Sequence, residues 1–230
     1  LWNIVATVDA FLSSGFTPEE LMRWVHPSLV ASTQGTGMGG MTSMQTMYHG
    51  NLLGQAKPND ILQEVLPNVV AAHVIQSYVG SYGSMIHPVG ACATAAVSVE
   101  EGMDKIRLGK AELVVAGGFD DLTLEAVIGF GDMAATADTE MMRSKGISDA
   151  KFSRANDRRR LGFLEAQGGG TVLLARGDLA LKMGLPVLAV VGYAQSFADG
   201  VHTSIPAPGL GALGAGRGGR ACALGIGFLA

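Results

Sequence analysis

Apolar residues recur along this chain at two spacings, and their alternation predicts a layered α/β protein. Compact apolar runs predict strands over 28–33, 111–117, 163–175 and 187–197. Helical spacing predicts helices over 1–12, 41–53, 60–79, 93–108, 122–130 and 178–183, the longest of them broken or bent at Pro67. Since strands and helices alternate without a strict repeat, we expect a largely central sheet with helices packed on it.

Turn and capping residues delimit these elements. Thr17-Pro18-Glu19-Glu20 has the sequence of a capping box with proline at the first helical position, so a short helix begins there and ends before His26-Pro27. The segment 131–160 has no clear periodicity and is expected to cross the surface. The Pro- and Gly-rich segment 200–220 is expected to be a loop.

A cysteine stands where a tight turn opens into the helix predicted over 93–108. Pro88 and Gly90 mark the turn, and the small residues of 91–96 leave the Cys92 thiol uncovered. A helix N-terminus stabilises a thiolate through its dipole and its unpaired N–H groups, which favours acyl transfer through a thioester. The alternative is an inert thiol in the core, since free cysteine is among the most buried residue types.

Composition narrows the possible functions. The chain has 230 residues, of which 48% are hydrophobic and 16% charged, as is typical of a globular protein. The net charge of −4 argues against a nucleic-acid partner. Cys92 and Cys222 form neither a disulfide framework nor a metal-ligand spacing, so we expect a reducing compartment and no metal site. No apolar run reaches the roughly 18 residues of a membrane span, and no signal peptide opens the chain. We therefore expect a cytoplasmic protein with no membrane partner.

The two ends suggest a piece of a larger protein. The chain opens at Leu1 inside a predicted helix, and its last stretch, 221–230, is almost wholly apolar, unlike a solvated tail.

The segment Gly35-Thr36-Gly37-Met38-Gly39-Gly40 satisfies G-x-G-x-x-G between a predicted strand and a predicted helix, which raises dinucleotide binding as a hypothesis. The acid downstream of it, Asp60, starts a helix after a turn, whereas a ribose-binding acid should close a second strand. The nucleotide hypothesis is therefore the weaker one.

Two charged clusters also admit two interpretations each. Asp120-Asp121 could bind a metal, but starting the next helix is the preferred interpretation. A basic cluster could form a solvated loop or dock an acidic carrier protein by electrostatic steering. Its residues are Lys151, Arg154, Arg158, Arg159 and Arg160.

The turn at 90–95, Gly-Ala-Cys-Ala-Thr-Ala, resembles the nucleophile motif of the β-ketoacyl synthases, condensing enzymes of the thiolase fold. The longer match over 88–98 is similar to the ketosynthase domain of type I fatty acid synthases of the fungal and mycobacterial kind. Further segments resemble that domain in the same order: 117–121, 130–133, 162–168, 178–184 and 206–209. Gln167 replaces the glutamate of free-standing ketosynthases and is similar to the type I pattern.

The resemblance implies an α/β, thiolase-like fold whose N-terminal half carries the nucleophile at a strand-turn-helix on a central mixed sheet. It implies that residues 1–215 form the N-terminal part of a ketosynthase domain, followed by a non-matching apolar tail over 216–230. Cys92 would be the nucleophile, and Gly37 and Met38 would line the acyl channel. The chain would bind no cofactor itself, because its substrates are carried on the phosphopantetheine of acyl carrier protein.

The resemblance also bears on partners and on what is missing. Acyl carrier protein is the expected partner, in a homodimer or a larger multienzyme assembly. The family's two catalytic histidines and lysine lie on motifs beyond the Pro-Ala-Pro-Gly segment at 206–209, so we expect a chain that accepts an acyl group at best. Two alternatives stay open: another cysteine acyltransferase or hydrolase, and a non-enzymatic module that packs on partner chains. Full burial of Cys92 would favour the module.

Overall fold

A three-stranded sheet organises the protein, whose structure is a computed structural model that describes residues 1–200 and 209–224. The strands are β1 (Val30–Ser32), β2 (Leu113–Asp120) and β3 (Gly168–Ala175), in that order across the sheet. β1 and β2 run parallel, with Val30 opposite Leu113 and Ser32 opposite Val115. This arrangement, with helices between the strands, confirms the α/β prediction.

Ten α-helices are found in the described ranges. They are α1 (Trp2–Ser14), α2 (Pro18–Leu21), α3 (Met41–Leu52), α4 (Ile61–Val65), α5 (Pro67–Val74), α6 (Thr94–Arg107), α7 (Leu124–Asp132), α8 (Thr139–Ser144), α9 (Gly177–Met183) and α10 (Leu210–Ala223). A π-helix over Ile75–Val79 continues α5. Over those ranges, no helix combines the length and the apolarity needed to cross a bilayer.

The chain divides into two compact units. The first unit comprises residues 1–39, 66–120 and the chain from 169 on, and it contains the sheet together with α1, α2, α5, α6, α9 and α10. The second unit comprises 40–65 and 121–168, and it contains α3, α4, α7 and α8. All three residues named as candidate site residues, Gly37, Met38 and Cys92, belong to the first unit.

The core of the first unit follows the alternation of side chains along β1 and β2. Val30, Leu113 and Val115 are fully buried in one cluster with residues of α1 and α5. Ala31 and Val114, the intervening residues, belong to a second cluster with Ile106 of α6. Because successive strand residues point to opposite faces, helices cover both faces of the sheet. The fold is therefore layered, with α6 on one side.

The structure confirms several of the helix ends that capping residues and prolines predict. Thr17 accepts a hydrogen bond from Glu20 N, and the Glu20 carboxylate accepts one from Thr17 N, which completes the capping box of α2. The helix predicted over 60–79 is broken at Pro67, which stands at the first turn of α5. The surface segment 131–160 contains the short helix α8, which Asp138 caps, and a 3-10 helix over Asp149–Lys151.

The strand predicted over 187–197 is wrong. These residues form no ladder with the sheet in the described part of the chain. Leu188 is 96% exposed and Val190 is 86% exposed. An apolar run predicts a buried strand only if a neighbouring strand is there to pair with it, and that condition is not local.

The loop predicted over 200–220 is also wrong in its second half, where α10 begins at Leu210; residues 201–208 lie outside the described ranges. Glycine disfavours helix by about 1 kcal/mol per residue, which is why the sequence predicts a loop. The packing reverses this preference. A Cβ on Gly214 would lie 2.8 Å from Phe197 Cδ1, and one on Gly218 would overlap Tyr193, so the missing side chains let α10 approach the 193–197 segment.

Candidate functional site

Cys92 lies on a tight turn directly before α6, and its side chain is exposed. Ala91 adopts a left-handed backbone conformation with φ of 47°, which costs a non-glycine residue roughly 1–2 kcal/mol. The Gly90 carbonyl accepts a hydrogen bond from Ala93 N at 2.9 Å. The turn therefore presents the thiol at a helix N-terminus, and the exposure of Cys92 removes the sign that would favour a non-enzymatic module.

The buried hydroxyl of Thr94 closes this turn. It donates to the Ala91 carbonyl at 2.7 Å and accepts from Gly90 N–H at 2.9 Å. One side chain thus satisfies backbone groups on both sides of Ala91 and opposes relaxation of the left-handed residue.

Hydrogen bonds and a close approach fix α6 on the sheet. Ser98 Oγ accepts from Gly117 N of β2 at 2.7 Å, and Thr33 Oγ1 donates to the Ser98 carbonyl at 2.8 Å. A Cβ on Gly102 would lie 2.7 Å from Leu174 Cδ1 of β3, so glycine is what allows the helix to come this near. Because Cys92 directly precedes α6, these contacts also fix the position of Cys92 relative to the sheet.

The loop of residues 35–39, here called the glycine loop, lies against the cysteine turn. A Cβ on Gly35 would fall 2.5 Å from both the Pro88 carbonyl oxygen and Thr94 Cγ2. A Cβ on Gly37 would fall 3.1 Å from the Ala91 carbonyl oxygen. Gly37 is thus next to the residue that precedes Cys92, and Met38, the residue after it, is 38% exposed.

Asp120, the last residue of β2, binds the glycine loop through its carboxylate. Its Oδ1 accepts from the Thr36 hydroxyl at 2.6 Å, from Gly37 N at 3.1 Å and from Met38 N at 3.0 Å. In a dinucleotide site, such amides hold a phosphate. Here a carboxylate of the same chain occupies them, so the weaker nucleotide hypothesis loses its anion site.

His87 also binds this loop. Its Nε2 accepts a hydrogen bond from Thr36 N at 3.1 Å, and therefore carries no proton in this arrangement. Partial burial lowers the pKa of His87 below its ordinary value of 6.5, although nearby backbone groups and the Asp120 charge act in the opposite direction.

The preferred interpretation of Asp120-Asp121 is corrected. Neither aspartate starts the next helix, because Thr123 caps α7 by accepting from Ala126 N. Asp121 instead accepts from Thr42 N at 3.2 Å, at the start of α3. Within residues 1–200 and 209–224, no cluster of three potential ligands could hold a metal ion.

The basic cluster is partly neutralised from within. Asp157 pairs with Arg154 at 2.5 Å and with Arg159 at 3.1 Å. Hydrogen bonds from these two arginines, Arg159 first, hold the pKa of Asp157 well below its usual range. A carrier-docking role for this cluster stays a proposal.

Comparison with known proteins decides the family. Residues 1–180 match the family model described as Beta-ketoacyl synthase, N-terminal domain. The chain belongs to the β-ketoacyl synthase family. This ketosynthase chain is 40% identical over 214 residues to fatty acid synthase subunit alpha of Saccharomyces cerevisiae, and 41% identical over 214 residues to that of Candida albicans; both matches cover 93% of the chain. The predicted resemblance to type I synthases of the fungal kind is confirmed.

A solved structure supports the fold of this ketosynthase chain. The ketosynthase FabY from P. aeruginosa superposes with a TM-score of 0.78 at 25% identity, covering 95% of this chain and 36% of FabY. The thiolase-like α/β fold is thus confirmed. The chain spans 11% of the length of each of the two fungal relatives named above.

The sequence singles out Cys92 and the glycine loop, which the structure places next to each other, but it does not predict the residues that hold them together. Thr94 lies inside the nucleophile motif, and its spacing from Ala91 could have suggested a turn-closing hydroxyl. Asp120 lies 84 positions from Thr36, so only the pairing of β1 with β2 brings the two together.

Proposed function

We propose that this chain carries the acyl-accepting nucleophile of a 3-oxoacyl-[acyl-carrier-protein] synthase that acts in fatty acid biosynthesis. The observation that carries the proposal is the exposed Cys92 thiol on a braced turn at the N-terminus of a helix that is fixed to the sheet. Family membership and the similarity to fatty acid synthase alpha subunits support it.

In the proposed first step, the Cys92 thiolate attacks the carbonyl carbon of an acyl thioester. A tetrahedral intermediate forms, and the resemblance implies that the Cys92 backbone N–H is one of the donors that stabilise its oxyanion. Collapse of the intermediate breaks the bond to the phosphopantetheine sulfur, which leaves as a thiol after gaining a proton. The acyl group then remains on Cys92 as a thioester.

The proposed second step joins two carbons. Malonyl on acyl carrier protein loses carbon dioxide, and the resulting carbanion attacks the acyl carbon on Cys92. Expulsion of the thiolate yields the 3-oxoacyl product. The family's two histidines and lysine serve this step, and none of the five histidines in this chain matches their motifs. We therefore assign acylation to this chain and condensation to the longer proteins that it resembles.

Gly37 and Met38 are proposed to line the acyl channel. The absence of a side chain on Gly37 leaves the approach to Ala91 open, since even a Cβ would be 3.1 Å from its carbonyl oxygen. Met38 supplies an apolar and adaptable side chain of the kind that suits an acyl chain.

Acyl carrier protein and a multienzyme assembly are proposed as partners, since the relatives are subunits of fatty acid synthases. A homodimer is the proposed alternative to such an assembly. No cofactor of the chain's own is proposed. The cytoplasmic location stays a prediction.

Mass spectrometry of the intact chain tests the acylation step. The chain is incubated with octanoyl-CoA, and Cys92→Ala and Cys222→Ser are compared with it, because both cysteines are exposed. We expect a mass gain of one octanoyl group in the parent and in Cys222→Ser, and none in Cys92→Ala. Acylation that survives Cys92→Ala, or that is lost only with Cys222→Ser, would contradict the proposal.

A further inference from the structure

We propose that Asp120 is a positioning residue that determines how long an acyl chain can reach Cys92. The inference rests on the proposed function of Cys92 and concerns a residue to which that function assigns no role. Asp120 would act through the glycine loop, whose Gly37 contacts the cysteine turn and whose Met38 follows it.

The carboxylate of Asp120 determines the path of the loop at three successive residues. Its Oδ1 accepts from the Thr36 hydroxyl, the Gly37 amide and the Met38 amide, at 2.6–3.1 Å. The Thr36 hydroxyl in turn accepts from Gly39 N at 3.1 Å. Since three donors converge on one carboxylate oxygen, this side chain restrains three successive residues of the turn at once.

The anchor itself is rigid relative to the cysteine turn. Asp120 ends β2, and the glycine loop begins as an extension of the same pairing: Gly35 N donates to the Gly117 carbonyl at 3.1 Å, and Phe119 N donates to the Gly35 carbonyl at 3.1 Å. β2 also contacts the first turn of α6, where a Cβ on Gly118 would lie 2.8 Å from Ala95 Cβ. The carboxylate and the cysteine helix are thus fixed to one strand.

The clearance between the loop and the turn is small, which makes it sensitive to this anchor. At Gly37 a Cβ would lie 3.1 Å from the Ala91 carbonyl oxygen and 3.5 Å from Asp120 Oδ2. Without Asp120 Oδ1, the amides of Gly37 and Met38 lose the acceptor that holds the loop at this distance, while Thr36 N keeps its bond to His87. We therefore expect longer chains to gain access when the carboxylate is removed.

The test measures access to Cys92 without requiring acyl transfer. In a Cys222→Ser background, Cys92 is alkylated with N-methylmaleimide and with N-octylmaleimide, and both rates are followed by intact mass spectrometry. We expect Asp120→Ala to raise the octyl-to-methyl rate ratio by roughly fivefold, the equivalent of one lost hydrogen bond. Asp120→Asn, which retains one acceptor oxygen, should give a smaller rise. Asp104→Asn, the same charge change at an exposed position on α6, should leave the ratio unchanged.

Rescue separates positioning from general damage. Sodium formate supplies a small carboxylate to the space left in Asp120→Ala, and it should return the ratio toward the parent value, whereas sodium chloride at the same ionic strength should not. If Asp120→Ala does not fold, the nearly isosteric Asp120→Asn decides the question by the same ratio. An unchanged or lowered ratio in the folded variants overturns the inference.

The two proposals fail in different ways. If Cys92 is never acylated by octanoyl-CoA but its alkylation ratio depends on Asp120, the proposed function fails and the positioning role stands. If Cys92 is acylated but neither the alkylation ratio nor the preference between octanoyl-CoA and acetyl-CoA changes in the Asp120 variants, the positioning role fails alone.

Discussion

The hydroxyl of Thr94 donates to the Ala91 carbonyl at 2.7 Å and so closes the turn that contains Cys92, the proposed nucleophile. The isosteric substitution Thr94→Val leaves Gly90 N–H without its acceptor and leaves the Ala91 carbonyl with Thr94 N as its remaining donor, in a partly buried setting. We expect the free energy of unfolding to fall by about 0.5–1.5 kcal/mol. The alkylation of Cys92 should also cease to follow a single rate, because the relaxed turn holds the thiol in more than one conformation. Urea unfolding and intact mass spectrometry measure the two effects.

Thr94→Ser is the matched control, because it keeps the hydroxyl and removes only the methyl group. The alkylation kinetics of Cys92 in Thr94→Ser should match those of the parent. A Thr94→Ser variant as impaired as Thr94→Val would show that the methyl contact with Gly35, rather than the hydrogen bonds, braces the turn.

The approach of Gly35 to the cysteine turn predicts a sharp response to a single methyl group. In Gly35→Ala the new Cβ would meet the Pro88 carbonyl and Thr94 Cγ2 at 2.5 Å. Because backbone must move to accommodate it, we expect a loss of about 2 kcal/mol or more in the free energy of unfolding. Gly177→Ala at the start of α9 meets nothing within 4 Å and should be neutral or stabilising. Equal losses in the two variants would contradict the structure.

The protonation state of His87 should make stability depend on pH. Its pKa is lowered in the folded protein, mainly by burial, so the unfolded chain binds the proton more readily. Stability from this group is therefore complete above pH 6.5 and falls as the pH is lowered toward the folded pKa, by at most about 1.4 kcal/mol per pH unit.

His87→Gln isolates that contribution, since glutamine can accept from Thr36 N but does not titrate. Unfolding curves at pH 7.5, 6.5 and 5.5 should show a steeper decline for the parent than for His87→Gln. If the free energy of unfolding declines equally in the parent and in His87→Gln, the pH dependence comes from other groups and not from His87.

The exposed apolar segment 187–191 predicts self-association. Leu188 and Val190 are almost fully exposed in a segment that pairs with no strand in the part of the chain that the structure describes, and an exposed apolar segment of this kind favours edge-to-edge pairing. We expect the chain to elute from gel filtration as a mixture that shifts to larger species with concentration. Leu188→Lys with Val190→Lys should shift it toward monomer without loss of stability. A parent chain that is monomeric at all concentrations would refute this expectation.

Elements governed by local chemistry could be predicted from the sequence, and those governed by distant packing could not. The capping box at Thr17 and the helix predicted over 41–53, observed at Met41–Leu52, depend on residues within a few positions of each other. Whether 187–197 forms a strand depends on a neighbouring strand to pair with. Whether 210–223 forms a helix depends on the packing of its glycines against Phe197 and Tyr193. The helix and strand propensities of the residues contain no information on either condition.

The candidate site divides in the same way. The placement of Cys92, exposed and directly before a helix, could be predicted because a turn, a helix start and a run of small residues adjoin one another in the sequence. The anchoring of the glycine loop could not, because Asp120 meets Thr36 only through the register of β1 against β2. The sequence shows both residues but not their distance.

The carboxylate that fills the glycine loop has a use in the interpretation of other chains. A G-x-G-x-x-G string is a common false positive in searches for nucleotide-binding proteins, because the string records the shape of a loop and not what occupies it. In this chain the loop follows β1, and the carboxylate that fills it belongs to Asp120, the last residue of the paired strand β2. An acid at that position of the sequence therefore indicates that the loop is already filled. A search that also asks for this acid would set aside loops that already contain their own anion.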